Sequence, residues 1–136
     1  MLSYRHAFHA GNFADVHKHL GLMLSLEHLS RKEKPFSIID THAGAGLYTL
    51  NDDRALLTGE TNDGILKLLS CCSGFALPDA LTRYVSLVEP YIKNNEYPGS
   101  PEIERSFLRD NDCLTLVELH PTEIAILKAA MEQNGR

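Results

Sequence analysis

Asp40-Thr41-His42-Ala43-Gly44-Ala45-Gly46 sets an acid just before a Gly-x-Gly pair, and a second acid, Glu118, stands 72 positions beyond Gly46. Glycines let a backbone pass close beneath a ligand, and an ionised carboxylate offers only acceptors, which suits the hydroxyls of a ribose. The pairing reads as a nucleotide-type cofactor site, with a helix-capping role as the alternative for Glu118. A dinucleotide fingerprint needs a third glycine where this chain has Thr49, and no Gly-Lys-Ser or Gly-Lys-Thr string follows a glycine loop. S-adenosylmethionine carries no phosphate, so it needs no cradle of backbone donors, and a strand, an acid and two glycines suit it.

These residues must be held by elements the pattern supplies. Phe36-Ser37-Ile38-Ile39 is a short apolar run and reads as a buried parallel strand; Cys113 to Val117 reads as a second strand, with a helix opening at Pro121. A ribose acid ordinarily lies roughly 20 residues after the glycines, so the longer spacing predicts an insertion. That insertion reads helical over Thr61 to Leu69 and Pro78 to Asn94, a small subdomain above the cleft. Tyr97-Pro98-Gly99-Ser100-Pro101 reads as a turn, with Ser100 as N-cap of a helix from Glu102 to Asn111. Upstream, Asn12 caps a helix that carries Phe13, Val16, Leu20, Met23 or Leu24, and then Leu29, and runs to about Arg31. The divisions are 1–50, 51–111 and 112–136.

Met1 to Gly11 holds Tyr4, Arg5, His6, Phe8 and His9 without an apolar period. Such a tail is either frayed or suited to stacking on bases and touching phosphates. The net charge is −5, yet residues 1–34 hold five Lys or Arg against three acids, so any phosphate contact belongs to the first third. With 43% hydrophobic and 23% charged residues, one core is expected. No long apolar run or signal core occurs, which suggests a cytoplasmic protein without a membrane partner. Cys71, Cys72 and Cys113 form neither a disulfide framework nor a metal motif, and read as reduced, partly buried thiols. His6-x-x-His9 and His17-Lys18-His19 raise a metallohydrolase as another class; residues two apart on a helix face apart, and no metal is expected.

Met1-Leu2-Ser3-Tyr4-Arg5-His6, His9-Ala10-Gly11-Asn12, Ala14-Asp15-Val16, Lys18-His19, Lys34-Pro35-Phe36, the glycine loop, Tyr97-Pro98-Gly99-Ser100-Pro101 and Glu118-Leu119-His120-Pro121 together resemble the bacterial 23S rRNA adenine-N6 methyltransferase family of the RlmJ type. An older description of that family speaks of catabolism of external DNA. The resemblance runs from end to end. It implies an α/β fold: the class I S-adenosylmethionine-dependent methyltransferase (Rossmann-like) sheet, here its N-terminal part, with an inserted helical subdomain between strands 1 and 2.

The resemblance also implies sites. His19, His42, Ser100 and Glu118 match cofactor contacts, joined by Gly44 of the loop; Tyr4, His6 and Lys18 match positions that approach the target adenine of protein-free 23S rRNA. It implies a monomer at full length. The family's Asp-Pro-Pro-Tyr-like string, whose acid and neighbouring carbonyl hold the exocyclic amine, has no counterpart here, since the chain contains no Pro-Pro. No catalytic residue is therefore assigned within the chain; the catalytic acid is expected beyond Arg136. The alternative function is a nucleic-acid-binding or DNA-utilisation protein that keeps the fold without methyl transfer.

Overall fold

The computed structural model describes residues 5–51, 58–72, 74 and 76–133. A 3₁₀ turn at His6–Phe8 leads into α1 (Phe13–Ser30), then β1 (Ser37–Asp40), β2 (Leu47–Thr49), α2 (Glu60–Asp63), α3 (Ile65–Cys71), α4 (Asp79–Lys93), β3 (Glu96–Pro98), α5 (Ser100–Phe107), β4 (Cys113–Leu116) and α6 (Pro121–Gln133). β1 and β4 pair in parallel with Ile38 opposite Leu114, as the two acid-ended runs predict. The ladder continues past both strands, with Val117 N–H donating to Asp40 O and Ala43 N–H to Val117 O. The two acids thus emerge at the same end of the pair.

Several expectations need correction. β1 is parallel but not buried: alternate residues face outward, and Ile39 is 68% exposed. Among the described residues there are four strands rather than two, because β2 and β3 form an antiparallel pair with Tyr48 opposite Tyr97. Three-residue strands show no readable period, and the Tyr-Pro-Gly-Ser-Pro turn is partly strand. The helix expected at Thr61–Leu69 is two helices, since Gly64 turns sharply where Ile65 N–H donates to Gly11 O at 2.8 Å. The helix predicted from Glu102 to Asn111 stops at Phe107, and beyond it Asp112 recruits the backbone N–H and guanidinium of Arg109. Cys72 and Cys113 are exposed thiols.

Around Asp112 a clasp secures the strand starts. Its carboxylate accepts from Phe36 N–H, and the Arg109 guanidinium donates to Lys32 O and Lys34 O while lying 5.2 Å over the Phe36 ring. The core joins Met23 of α1, Ile65 of α3, Tyr84 and Val88 of α4, and Tyr48 and Tyr97 of the β2–β3 pair. α2 to α4 therefore pack behind α1 in a shared core, and none of their residues lines the cleft described below. The described residues of these helices thus form no cover above the cleft. Ala7 and Ala10 are buried in the same core, so residues 5–11 are docked rather than frayed. No helix among the described residues is long and apolar enough to cross a membrane.

Gly64 carries a sharp test. A Cβ there would lie 2.1 Å from Gly11 O and 2.5 Å from the Asn12 carbonyl carbon, both backbone atoms that cannot swing aside. Gly64→Ala should destabilise the chain by roughly 2–4 kcal/mol. Gly21→Ala, in open space on α1, should be neutral or gain up to about 1 kcal/mol. Urea denaturation of both variants checks this; equal midpoints would mean that the Gly11–Gly64 approach is not tight.

Candidate cofactor cleft

The turn after β1 is shaped by its glycines. Gly44 has φ +62°, and a Cβ there would sit 2.2 Å from the Tyr48 hydroxyl; Gly46 has φ +77°, and a Cβ there would sit 2.8 Å from Leu127 Cδ1. The Tyr48 hydroxyl accepts from Ala45 N–H at 3.1 Å and stiffens the loop from inside. Glu118 grips the loop from the other strand: Oε2 accepts from Gly44 N–H at 2.8 Å and Oε1 from His120 N–H at 2.7 Å. Each oxygen keeps a second lone pair for a ligand. Capping and ligand binding are thus compatible roles for Glu118.

Asp40 works in the same way on the other side. Its Oδ1 accepts from His42 N–H at 2.9 Å, and its Oδ2 accepts from Ser100 Oγ–H at 2.6 Å. Ser100 is therefore not the expected N-cap: it begins α5, Gly99 precedes it, and its hydroxyl bonds Asp40 instead of a helix amide. With its hydrogen spent on Asp40, Ser100 turns acceptor lone pairs toward other partners. One turn along α5 is Glu104, 4% exposed, whose Oε2 has no partner among the described residues. Burial, with the Asp40 charge adding to it, pushes its carboxyl up to about 7.

The third wall comes from the N-terminal segment and α1. Asn12 caps α1 as predicted, its Oδ1 accepting from Asp15 N–H. Asp15 has no solvent exposure; Oδ2 bonds His6 Nε2 at 2.7 Å and Gly11 N–H at 3.0 Å, and Lys18 Nζ lies 3.0 Å from Oδ1. Burial opposes its ionisation, yet the hydrogen bond and charge of His6, with His19 and Lys18, hold it at about 2. His19 is buried one turn on, Nδ1 2.9 Å from the Tyr97 hydroxyl and its ring stacked on that phenol. Burial lowers its pKa to about 4, leaving a neutral imidazole at pH 7.

These walls enclose a cleft of about 530 Å³. His6, Lys18, His19, His42, Gly44, Ser100 and Glu118 all line it, so seven residues from five separate stretches of chain converge. Tyr4 lies outside the described residues. Glu123 also lines the cleft and is nearly buried; its Oε1 accepts from Arg5 Nε at 3.2 Å. The sequence reading passed over Asp15, Tyr97 and Glu123. Asp15 and His19 are four apart on α1, a spacing that puts two polar groups on one face, and this was the available signal. No group of three His, Cys, Asp or Glu residues among those described is arranged to hold a metal.

A family described as ribosomal RNA large subunit methyltransferase D, RlmJ, matches residues 33–136. The chain belongs to this family. Two relatives, each named ribosomal RNA large subunit methyltransferase J, share 44% identity with it: that of Escherichia coli over 100% of this chain and 49% of its own length, and that of Haemophilus influenzae over 94% and 46%. The chain thus spans about half the length of the curated relatives it matches. A crystal structure of a Legionella pneumophila protein superposes with TM-score 0.76 at 39% identity, covering 88% of this chain and 43% of that one. Both relatives carry the methyltransferase name.

Glu104 supplies a pH test. Its folded pKa lies above the ordinary value of 4.5, so its stabilising contribution is complete below pH 4.5 and is lost as pH rises through about 7. Glu104→Gln should match the parent at pH 4.5 and become more stable than it by roughly 2–3 kcal/mol at pH 8. Denaturant titrations of both proteins at the two pH values give the difference directly; a constant difference would place the Glu104 carboxyl in contact with water.

Proposed function

We propose that this chain binds S-adenosylmethionine in the cleft, and that the protein to which it belongs transfers the methyl group to the N6 amine of an adenine in protein-free 23S rRNA. The observation that carries the reading is the convergence of His19, His42, Gly44, Ser100 and Glu118 on one cleft that also holds His6 and Lys18. The name shared by both relatives supports the rRNA substrate. In this reading the β1–β4 pair is the start of a class I Rossmann-like methyltransferase sheet, with α2 to α4 as an inserted helical segment. The protein acts as a monomer in the cytoplasm.

The residues fit this cofactor. The positive-φ glycines let the loop close tightly over Tyr48 and Leu127 and so hold its shape, and no nest of phosphate-binding amides is needed. Glu118 accepts from the ribose hydroxyls with the lone pairs that Gly44 and His120 leave free. Asp40 fixes His42 and Ser100 on the opposite lip, and Asp15 holds His6 and Lys18 where a base and its phosphates approach. When bound, the cofactor supplies an electrophilic methyl on a sulfonium. The chain's own part is to orient that group and exclude water, since alignment of donor and amine is the larger share of such a transfer. The acid and carbonyl that hold the amine's hydrogens lie outside 1–136 in this reading.

Glu118→Ala should weaken S-adenosylmethionine binding by about 1.5–3 kcal/mol in calorimetry, the scale of hydrogen bonds to a charged group. An unchanged dissociation constant with an intact fold would remove Glu118 from the site. In a protein that carries the amine-holding string, Lys18→Ala should lower rRNA methylation more than cofactor affinity. Residues 1–136 alone should form no N6-methyladenine from labelled cofactor and unmodified rRNA, and product from this chain alone would show that the acceptor chemistry lies within it.

A further inference from the structure

Behind the cleft, two phenols end in His19. Tyr84 and Tyr97 are both fully buried; their hydroxyls lie 2.8 Å apart, and the Tyr97 hydroxyl lies 2.9 Å from His19 Nδ1. Burial raises both phenols well above their ordinary pKa, so each keeps its single hydrogen. Tyr84 has no other hydrogen-bond partner among the described residues, so its hydrogen has one acceptor, the Tyr97 oxygen. The Tyr97 hydrogen then goes to His19 Nδ1. In the reverse order the Tyr84 hydrogen would be buried without an acceptor, which disfavours that order by a factor of about ten to a hundred.

His19 Nδ1 is thus the lone-pair nitrogen, and a neutral imidazole carries its proton on Nε2. No hydrogen bond reaches Nε2 from the described residues, and His19 lines the cleft. The groups around that ring are Asp15, Lys18, His6 and Asp40. The carboxylate of Asp15 is already engaged by His6, Gly11 and Lys18, and that of Asp40 by His42 and Ser100. Lys18, beside His19 in the chain, is the only Lys or Arg among the described residues that line the cleft, so this end is where an anionic ligand group is favoured. S-adenosylmethionine has one anionic group, the carboxylate of its methionine part.

We propose that Tyr97 fixes His19 as an Nε2–H donor to the cofactor's carboxylate, which places the methionine end at α1 and the ribose end at Glu118. This rests on the cofactor assignment above. Tyr97 is a positioning residue; neither it nor Tyr84 lines the cleft.

Nitrogen-15 NMR of the unliganded protein at neutral pH reads the tautomer without any ligand. The parent and Tyr84→Phe should both show the proton on His19 Nε2, because the Tyr97 hydrogen still has only Nδ1 to meet; Tyr97→Phe should show a mixture. A merely structural role would make the two deletions of one buried hydroxyl equivalent. A parent spectrum with the proton on Nδ1, or identical spectra for Tyr97→Phe and the parent, overturns the ordering. For the carboxylate, binding of S-adenosylmethionine is compared with that of its decarboxylated analogue. The parent and Tyr84→Phe should prefer the carboxylated form at least tenfold, and the preference should shrink at least fivefold in Tyr97→Phe and His19→Ala. An undiminished preference in both overturns the contact. If the parent binds neither compound, the cofactor assignment fails and the carboxylate contact with it, while the tautomer result stands or falls by itself.

Discussion

One carboxylate without solvent exposure, Asp15, organises the wall on which the rest of the cleft depends. A buried charge is tolerated only where donors surround it. Asp15 gathers them from Gly11 and His6 on the approaching chain and from Lys18 one turn ahead, while Asn12 closes the start of α1. Those bonds pin residues 5–11 against the helix. Gly11 in turn offers its carbonyl to Ile65 N–H, so the segment also links α1 to α3. The buried stripe of α1 is Asp15, His19, Met23 and Leu26, polar where it meets the cleft and apolar where it meets the core.

The opposite wall follows from the parallel pairing of β1 and β4. In register, the two strands deliver Asp40 and Glu118 to the same end, and each acid uses both oxygens as acceptors for neighbouring groups. Loops that would otherwise be free are fixed by these bonds: His42 and Ser100 by Asp40, Gly44 and His120 by Glu118. The acids build the site before they meet any ligand.

The parts of this arrangement that were legible in the sequence are those written in short, local code. Two acid-ended apolar runs gave the parallel pair and its glycine turn, and Asn12 with Asp15 marked the start of α1. Of the apolar residues read on α1, Val16, Leu20 and Met23 do pack on the core, whereas Phe13 is 74% exposed and the inward stripe begins with a charge. The β2–β3 pair was invisible because its strands are three residues long and pair across some fifty positions. Ser100 looked like a cap since the groups that compete for its hydroxyl are distant in sequence; only the fold brings Asp40 within 2.6 Å. Tyr97 read as the start of a turn and Tyr84 lay in a predicted helix, and their hydroxyls gained meaning only through the 2.8 Å and 2.9 Å contacts that end at His19.

The clasp at Asp112 joins residues 76 apart, and the β1–β4 ladder closes the same span. Contacts so distant along the chain form slowly, after local helices have shortened the gap between them. Both lips of the cleft depend on that late closure. Opening of the ladder should therefore abolish ligand capture while α1 and α4 still hold together, and the amides of Ala43 and Val117 should exchange with solvent before those of Met23 and Val88. Competence to bind would then report how far the slowest pairing has progressed rather than how much helix has formed.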